Sequence, residues 1–189
     1  MITCGIDEVG RGALAGPLVL ACISFKSYTK IPYGIIDSKK TTFNSRKLLL
    51  KLIKESSFIS YYFVPASIID NLGINKATNL ACEKILNKNR KNIDIVLLDG
   101  NIKPSSDFRF RNIVKGDNNY VSIAAASIVA KQLRDKYMQN IGLVDKRYGW
   151  CKNVGYGTKE HLKAIKKYGI TKYHRKTYKP VKDFLNNDE

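Results

Sequence analysis

Histidine is almost missing from this 189-residue chain, which contains only His161 and His174. A zinc site or a histidine-activated nucleophile therefore has few candidates, and a surface or structural role is expected for both rings. Cysteine is sparse as well: Cys4, Cys22, Cys82 and Cys151 lie far apart with no C-x-x-C pair, which argues against zinc and against a disulfide framework. No apolar run approaches the length that crosses a bilayer. Asp7 and Glu8 interrupt the chain before a secretory signal could form. A cytoplasmic protein with no membrane partner is expected. Repeats and low-complexity linkers are also missing, and the length suits one α/β domain over residues 1–189 better than two.

Acid is the other shortage. Lys and Arg number 33 against 16 Asp and Glu, a formal charge of +17. Such an excess points to a polyanion, nucleic acid above all, although nucleotide bias toward Lys, Asn, Ile and Tyr produces the same drift without selection for binding. In so basic a chain, the positions that keep an acid are informative.

The first acids stand in Cys4-Gly5-Ile6-Asp7-Glu8-Val9-Gly10-Arg11-Gly12. Residues 2–6 read as a short apolar strand, placing Asp7 and Glu8 at or near its end, where open sheets flanked by helices hold their chemistry. Adjacent carboxylates repel one another, and a divalent cation relieves them; oxygen-only ligands suit magnesium or manganese. Gly10 and Gly12 are placed to expose backbone N–H groups and to admit a nucleic-acid backbone, with Arg11 on a phosphate. A glycine turn whose acids pair with nearby lysines fits the same residues.

Further along, residues 18–25 read as a hairpin partner of the first strand, 28–36 as a loop, and 44–55 as a helix capped by Asn44 with Leu48, Leu49, Leu52 and Ile53 at helical spacing. Residues 58–64 form a strand closed by Pro65, and 67–71 a short helical segment. A structural helix then runs from Gly73 to about Leu86, burying Ala77, Leu80, Ala81, Ile85 and Leu86. The strand 93–98 ends in Asp99-Gly100, which is either a simple turn or a third acid at a strand end. After a strand at 108–114, Asp117 precedes the small-residue helix 121–131, so it either caps that helix or joins a metal cluster. Asp135 is expected to pair with Arg134 or Lys131. Thr158 caps a helix whose first turn carries Glu160, and the lysine-rich residues 159–182 are either a solvated face or a nucleic-acid contact.

Four stretches together resemble ribonuclease HII, the type 2 ribonuclease H family. They are Gly5-Ile6-Asp7-Glu8-Val9-Gly10-Arg11-Gly12 with Leu14-Ala15-Gly16-Pro17; Lys115-Gly116-Asp117 with Ala125-Ala126-Ser127-Ile128-Val129-Ala130-Lys131; Gly155-Tyr156-Gly157-Thr158; and His174-Arg175-Lys176-Thr177-Tyr178-Lys179-Pro180. Asp37-Ser38-Lys39-Lys40 and Ile74-Asn75 also resemble family segments.

The resemblance implies a ribonuclease H-like fold, a mixed sheet flanked by helices, with a C-terminal helical part at about 142–189 packed on it and contributing to substrate binding. It implies that Asp7, Glu8, Asp99 and Asp117 are catalytic ligands of Mg2+ or Mn2+, two ions with substrate bound. Gly10, Arg11 and Gly12 would read a 2′-hydroxyl and the adjacent phosphate, and Tyr156 would pack on the next sugar and favour deoxyribose there. Ser38 and Lys39 are candidate phosphate contacts, or part of an ordinary charged loop. The implied substrates are duplex DNA containing ribonucleotides and RNA/DNA hybrids, cut on the 5′ side of a ribonucleotide to leave a 3′-hydroxyl and a 5′-phosphate. Asn153-Val154 departs from the pattern, which commonly has a basic residue there. No convincing segment for docking on a replication clamp stands near Phe184-Leu185, and a monomer is the default. A type 3 ribonuclease H usually lacks the loop arginine and adds an amino-terminal domain, so Arg11 and the start at Met1 speak against it. A non-catalytic, basic RNA-binding module fits the charge but has no need of four acids in this order.

Overall fold

The computed structural model describes residues 2–35, 43–89, 93–105 and 107–187. Its sheet is built outward from β1, Thr3–Val9, which pairs antiparallel with β2, Leu18–Phe25. β3, Ser57–Val64, continues antiparallel on β2, whereas β4, Ile95–Asp99, and β5, Phe110–Ile113, extend the other side in parallel. The order is β3-β2-β1-β4-β5, a mixed five-stranded sheet. The helix α1, Phe43–Ser56, leads into β3; α2, Ala66–Leu72, and α3, Ile74–Lys88, carry the chain on to β4. A 3-10 turn, Gly116–Asn118, leads from β5 into α4, Val121–Val144, followed by α5, Trp150–Asn153, α6, Lys159–Tyr168, and α7, Lys179–Asn187.

Strand alternation decides which residues meet which helices. Cys4, Ile6, Leu20, Cys22, Val96 and Leu98 pack with α2 and α3 on one face. Val19, Ala21 and Ile23 pack with α1 and the Ala124–Ala126 stretch of α4 on the other. With both faces covered, β2 is buried almost throughout. The small residues of α4 allow it to lie directly on β1: a Cβ at Gly5 would come within 2.3 Å of the Ile123 backbone nitrogen. A third cluster joins Leu14 and Ala15 of the β1–β2 loop to Met138, Tyr148, Trp150, Ala164, Ile165 and Val181 of the C-terminal helices.

Several expectations are revised. β1 runs on through Val9, so Asp7 and Glu8 lie inside the strand. The first helix begins at Phe43, which puts Asn44 in its first turn rather than at its cap, and Leu48 is 60% exposed while Leu49 and Ile53 are buried. Tertiary packing uses a narrower stripe than the leucine spacing suggested. α4 continues far past Lys131, and its N-cap is Tyr120, so Asp117 does not cap it. Of the surface and structural roles expected for the histidines, the structural one holds: both are buried among Tyr148 and Trp150. Three thiols, Cys4, Cys22 and Cys82, are buried in one core cluster, where burial pushes Cys82 up to about 12. A hydrogen bond with Cys4, then burial, raises Cys22 as well, so Cys22 and Cys82 are protonated packing groups.

Candidate active site

The parallel pairing of β1 and β4 brings the first acids together. Ile6 stands opposite Leu98, so the next residues on the two strands are Asp7 and Asp99. Leu98 packs on the α2 and α3 face, which leaves Asp99 on the α4 side with Asp7. Asp7 is buried, accepts from the Glu8 N–H at 2.7 Å, and lies near the Ser127 hydroxyl of α4, which tempers the rise in pKa that burial causes. Asp99 accepts from the Gly116 N–H at 2.7 Å, which ties it to the turn that carries Asp117. Asp117 is itself buried, 6% exposed.

Glu8 takes the other side of the sheet. Adjacent residues of a regular strand leave the backbone on opposite sides, and Glu8 leaves on the α3 side, yet its carboxylate stays close enough to raise Asp7 and to be raised by Asp99. Glu8 turns toward α3, where it lines a polar pocket of about 430 Å³ with Arg11, Asn75, Thr78, Asn79 and Lys103. Arg11 lies 3.6 Å from the Glu8 Oε1 and donates to Thr78 Oγ1 at 2.9 Å and Asn75 Oδ1 at 2.7 Å. Thus α3, read from sequence as structural, also supplies two acceptors that orient the loop arginine. Among the described residues no three acid, histidine or cysteine side chains form a ready cage for a metal ion.

The corner is nonetheless electrostatically strained. Burial, then the neighbouring Glu8, raises the Asp7 carboxyl to about 7, with Asp99 adding to the effect. Burial also raises Glu8, against the opposing pull of Arg11. Glu8 Oε2 is buried without a hydrogen-bond partner, and such an atom costs free energy unless something satisfies it. Oxygen donors under mutual repulsion, with one orphaned, fit a hard divalent cation. Asp7, Glu8, Asp99 and Asp117 are the residues that would hold it.

The loop between β1 and β2 is fixed by residues distant in sequence. Gly10 is buried with φ of 97°, and a Cβ there would strike Arg134 Nε at 2.2 Å; Gly12 is exposed with open space around it. Gly10 therefore serves the turn and its packing, while Gly12 presents the accessible backbone. Tyr156 is 39% exposed. Its loop is fastened to the first one by Leu14 and Ala15 N–H donating to the Gly155 carbonyl at 2.8 and 3.1 Å, and its ring lies against the Arg134 guanidinium, 5.3 Å from the ring centre. Asn153, at the departure from the family pattern, is internal, donating to the Tyr148 carbonyl and accepting from Gly155 N–H. Ser38 and Lys39 lie outside the described residues. Lys131 pairs with Asp135 at 2.6 Å, which keeps Asp135 with α4.

Sequence reasoning missed Arg134 and Arg175, each buried and fully engaged by main-chain carbonyls. Arg134 donates to the carbonyls of Pro17, Ala15 and Val154. Arg175 donates to those of Arg11 and Gly16. Arg175 lies inside a motif quoted for the family and Arg134 three residues beyond one, which was the available signal. Burial lowers Arg134 to about 10 and lowers Arg175 as well.

The ribonuclease HII family model matches residues 4–181. Ribonuclease HII of Rickettsia akari is 45% identical over 178 residues, covering 94% of this chain and 91% of that protein. The Pelagibacter ubique protein is 41% identical over 186 residues, covering 97% and 99%. Among solved structures, ribonuclease H2 of Pyrococcus horikoshii aligns with a TM-score of 0.83 at 21% identity, covering 99% and 98%. The RNase HII of Archaeoglobus fulgidus, solved in complex with PCNA, aligns at 0.82 and 23%, covering 94% and 95%. Bst-RNase HIII in complex with Mn2+ aligns at 0.78 and 20%, covering 100% of this chain and 70% of that one. These likenesses establish the ribonuclease H-like fold. The chain belongs to the ribonuclease HII family and is a metal-dependent endoribonuclease of the ribonuclease H type.

Proposed function

We propose that the protein hydrolyses the phosphodiester on the 5′ side of ribonucleotides embedded in duplex DNA, and the RNA strand of RNA/DNA hybrids, leaving 3′-hydroxyl and 5′-phosphate ends. The observation that carries this reading is the acid corner, with Asp7 and Asp99 side by side on parallel strands and Glu8 against the guanidinium of Arg11. Asp7, Glu8, Asp99 and Asp117 would hold Mg2+ or Mn2+, two ions with substrate bound. Bound there, such ions lower the pKa of the attacking water and stabilise the leaving oxygen.

The remaining chemistry falls to the chain's own groups. Arg11, oriented by Asn75 and Thr78, would meet the phosphate beside the cut. The exposed backbone at Gly12 would read the 2′-hydroxyl, the group that separates RNA from DNA. The half-exposed ring of Tyr156, backed by Arg134, offers a face to the neighbouring sugar. The C-terminal part, at about 142–189, thereby contributes to substrate binding, and the +17 charge attracts the duplex in a salt-dependent way.

No described helix is long and apolar enough to cross a membrane, and the protein is taken to act as a monomer in the cytoplasm. Phe184 is half-buried on α7 against the third core cluster, which commits its ring to packing rather than to a docked partner.

The test is cleavage of end-labelled duplex DNA carrying one ribonucleotide, beside an all-DNA duplex and an RNA/DNA hybrid, with Mg2+ or Mn2+. A single metal-dependent cut 5′ to the ribonucleotide, with the all-DNA duplex intact, is expected. Cutting of the hybrid alone would replace it with a type 3-like specificity, and tight binding without cutting would favour a basic binding module.

A further inference from the structure

Arg175 is fully buried, yet among the described residues no carboxylate stands within ion-pair distance of it. Its donors go instead to the main chain of the β1–β2 loop. Nη1 reaches the Arg11 carbonyl at 2.8 Å, while Nε and Nη2 both reach the Gly16 carbonyl, at 3.1 and 3.0 Å. The Arg175 N–H also donates to the Leu14 carbonyl at 2.8 Å, and Gly16 N–H to the Tyr173 carbonyl at 2.8 Å. Tyr178 completes the grip: its hydroxyl donates to the Arg11 carbonyl and accepts from Arg175 Nη1 at 3.0 Å. Arg11 is therefore held at both ends, its carbonyl by the C-terminal segment and its guanidinium by α3.

We propose that Arg175 is a positioning residue for cleavage, setting the β1–β2 loop through the Arg11 and Gly16 carbonyls so that the Arg11 guanidinium meets the substrate. This rests on the reading that Arg11 contacts substrate. Keeping a guanidinium buried with no anion is costly, and a mere filler of the core would be better served by an apolar side chain. The planar fork gives the arrangement its purpose. Arginine serves two carbonyls at fixed spacing and angle, whereas lysine is a single point charge that cannot hold both. Because a displacement of about 1 Å at a reacting centre costs up to about 100-fold in rate, the loop geometry set by the fork is expected to appear in turnover.

A double-mutant cycle on the full-length protein tests this, using Arg175→Lys, Arg11→Ala and the double variant, with kcat and KM measured on a duplex carrying one ribonucleotide. Val181→Ala, which loosens the same C-terminal core while removing none of the hydrogen bonds to the loop, serves as a control for lost packing. Arg175→Lys is expected to lower kcat/KM by about tenfold. In the Arg11→Ala background the same change is expected to have under about a twofold effect, because the group it positions is gone. Val181→Ala is expected to leave kcat/KM of the folded enzyme unchanged.

Wild-type kcat/KM in folded Arg175→Lys overturns the proposal, as does a loss that multiplies fully with that of Arg11→Ala. If Arg11→Ala alone cleaves at the wild-type rate, the substrate role of Arg11 fails first and the proposal with it. Should Arg175→Lys fail to fold, Tyr178→Phe removes the other donor to the Arg11 carbonyl while leaving the buried charge. A wild-type kcat/KM in that variant then overturns the proposal, and a loss that vanishes in the Arg11→Ala background supports it.

Discussion

His161 and His174 face each other through their Nε2 atoms, 3.2 Å apart in the C-terminal core. The surrounding bonds fix both tautomers. His174 Nδ1 accepts from the Thr171 N–H at 3.0 Å, so its proton is on Nε2 and points at His161. His161 Nδ1 lies 2.9 Å from the Tyr156 carbonyl and must donate to it, leaving Nε2 as acceptor for both His174 and the Trp150 indole N–H. A second proton on either ring would remove an acceptor already in use.

Stability at mildly acidic pH is therefore predicted to depend on this pair. Burial, with the neighbouring His161, lowers His174 to about 4, and burial lowers His161. In the unfolded chain a histidine takes its proton near 6.5. The neutral rings thus contribute stability that is complete above about pH 6.5 and is lost as pH falls toward 4, up to about 3 kcal/mol for His174. The raised carboxyls of Asp7 and Glu8 act in the opposite sense over overlapping pH, so the useful quantity is a difference. The unfolding free energy of wild type minus that of His174→Asn should shrink between pH 7.5 and 5. A difference that stays constant with pH refutes the assignment.

Asp7 leads to a stability prediction of the other sign. In metal-free protein at pH 8, Asp7→Asn removes a buried charge repelled by Glu8 and Asp99 while keeping a side chain of the same shape. Urea unfolding in the presence of a chelator should show the variant more stable by about 1–2 kcal/mol, although inactive. A variant less stable than wild type would mean that Asp7 is satisfied by the protein itself.

Asn75→Ala should act on substrate affinity. It deletes the acceptor that holds Arg11 Nη2 at 2.7 Å in an exposed setting, a bond of about 1 kcal/mol, so KM for the ribonucleotide-containing duplex should rise about fivefold with kcat little changed. An unaltered KM would show that Arg11 finds its place without α3.

Much of the scaffold was legible because it follows period-two and helical patterning: β2, β3 and the Thr158 cap match the sequence reading closely, the cap accepting from His161 N–H at 3.2 Å. The order of the acids was legible too, but their directions were not. Asp7 and Glu8 are consecutive in sequence, and the placement of both inside β1, rather than past its end, makes them leave the strand on opposite sides while still within electrostatic reach. Arg134 and Arg175 were invisible for a different reason. An arginine in sequence is read by default as solvated, and a guanidinium whose partners are mostly carbonyls more than a hundred residues away leaves no local pattern. The same holds for Thr78, which on an amphipathic helix reads as core filler until Arg11 is found against it.

The central claim is that the acid corner performs the hydrolysis while other groups bind the duplex, and Asp99→Asn separates the two most directly. Asp99 abuts Asp7 and is anchored by Gly116 N–H, so the amide fits the same space and removes only the charge. Binding and cleavage of one duplex carrying a single ribonucleotide should be measured side by side, with Mg2+ and with Mn2+. Retained binding with cleavage reduced by about 1,000-fold or more, the equivalent of roughly 4 kcal/mol of lost transition-state stabilisation, is the predicted result. Cleavage near the wild-type rate would contradict the account.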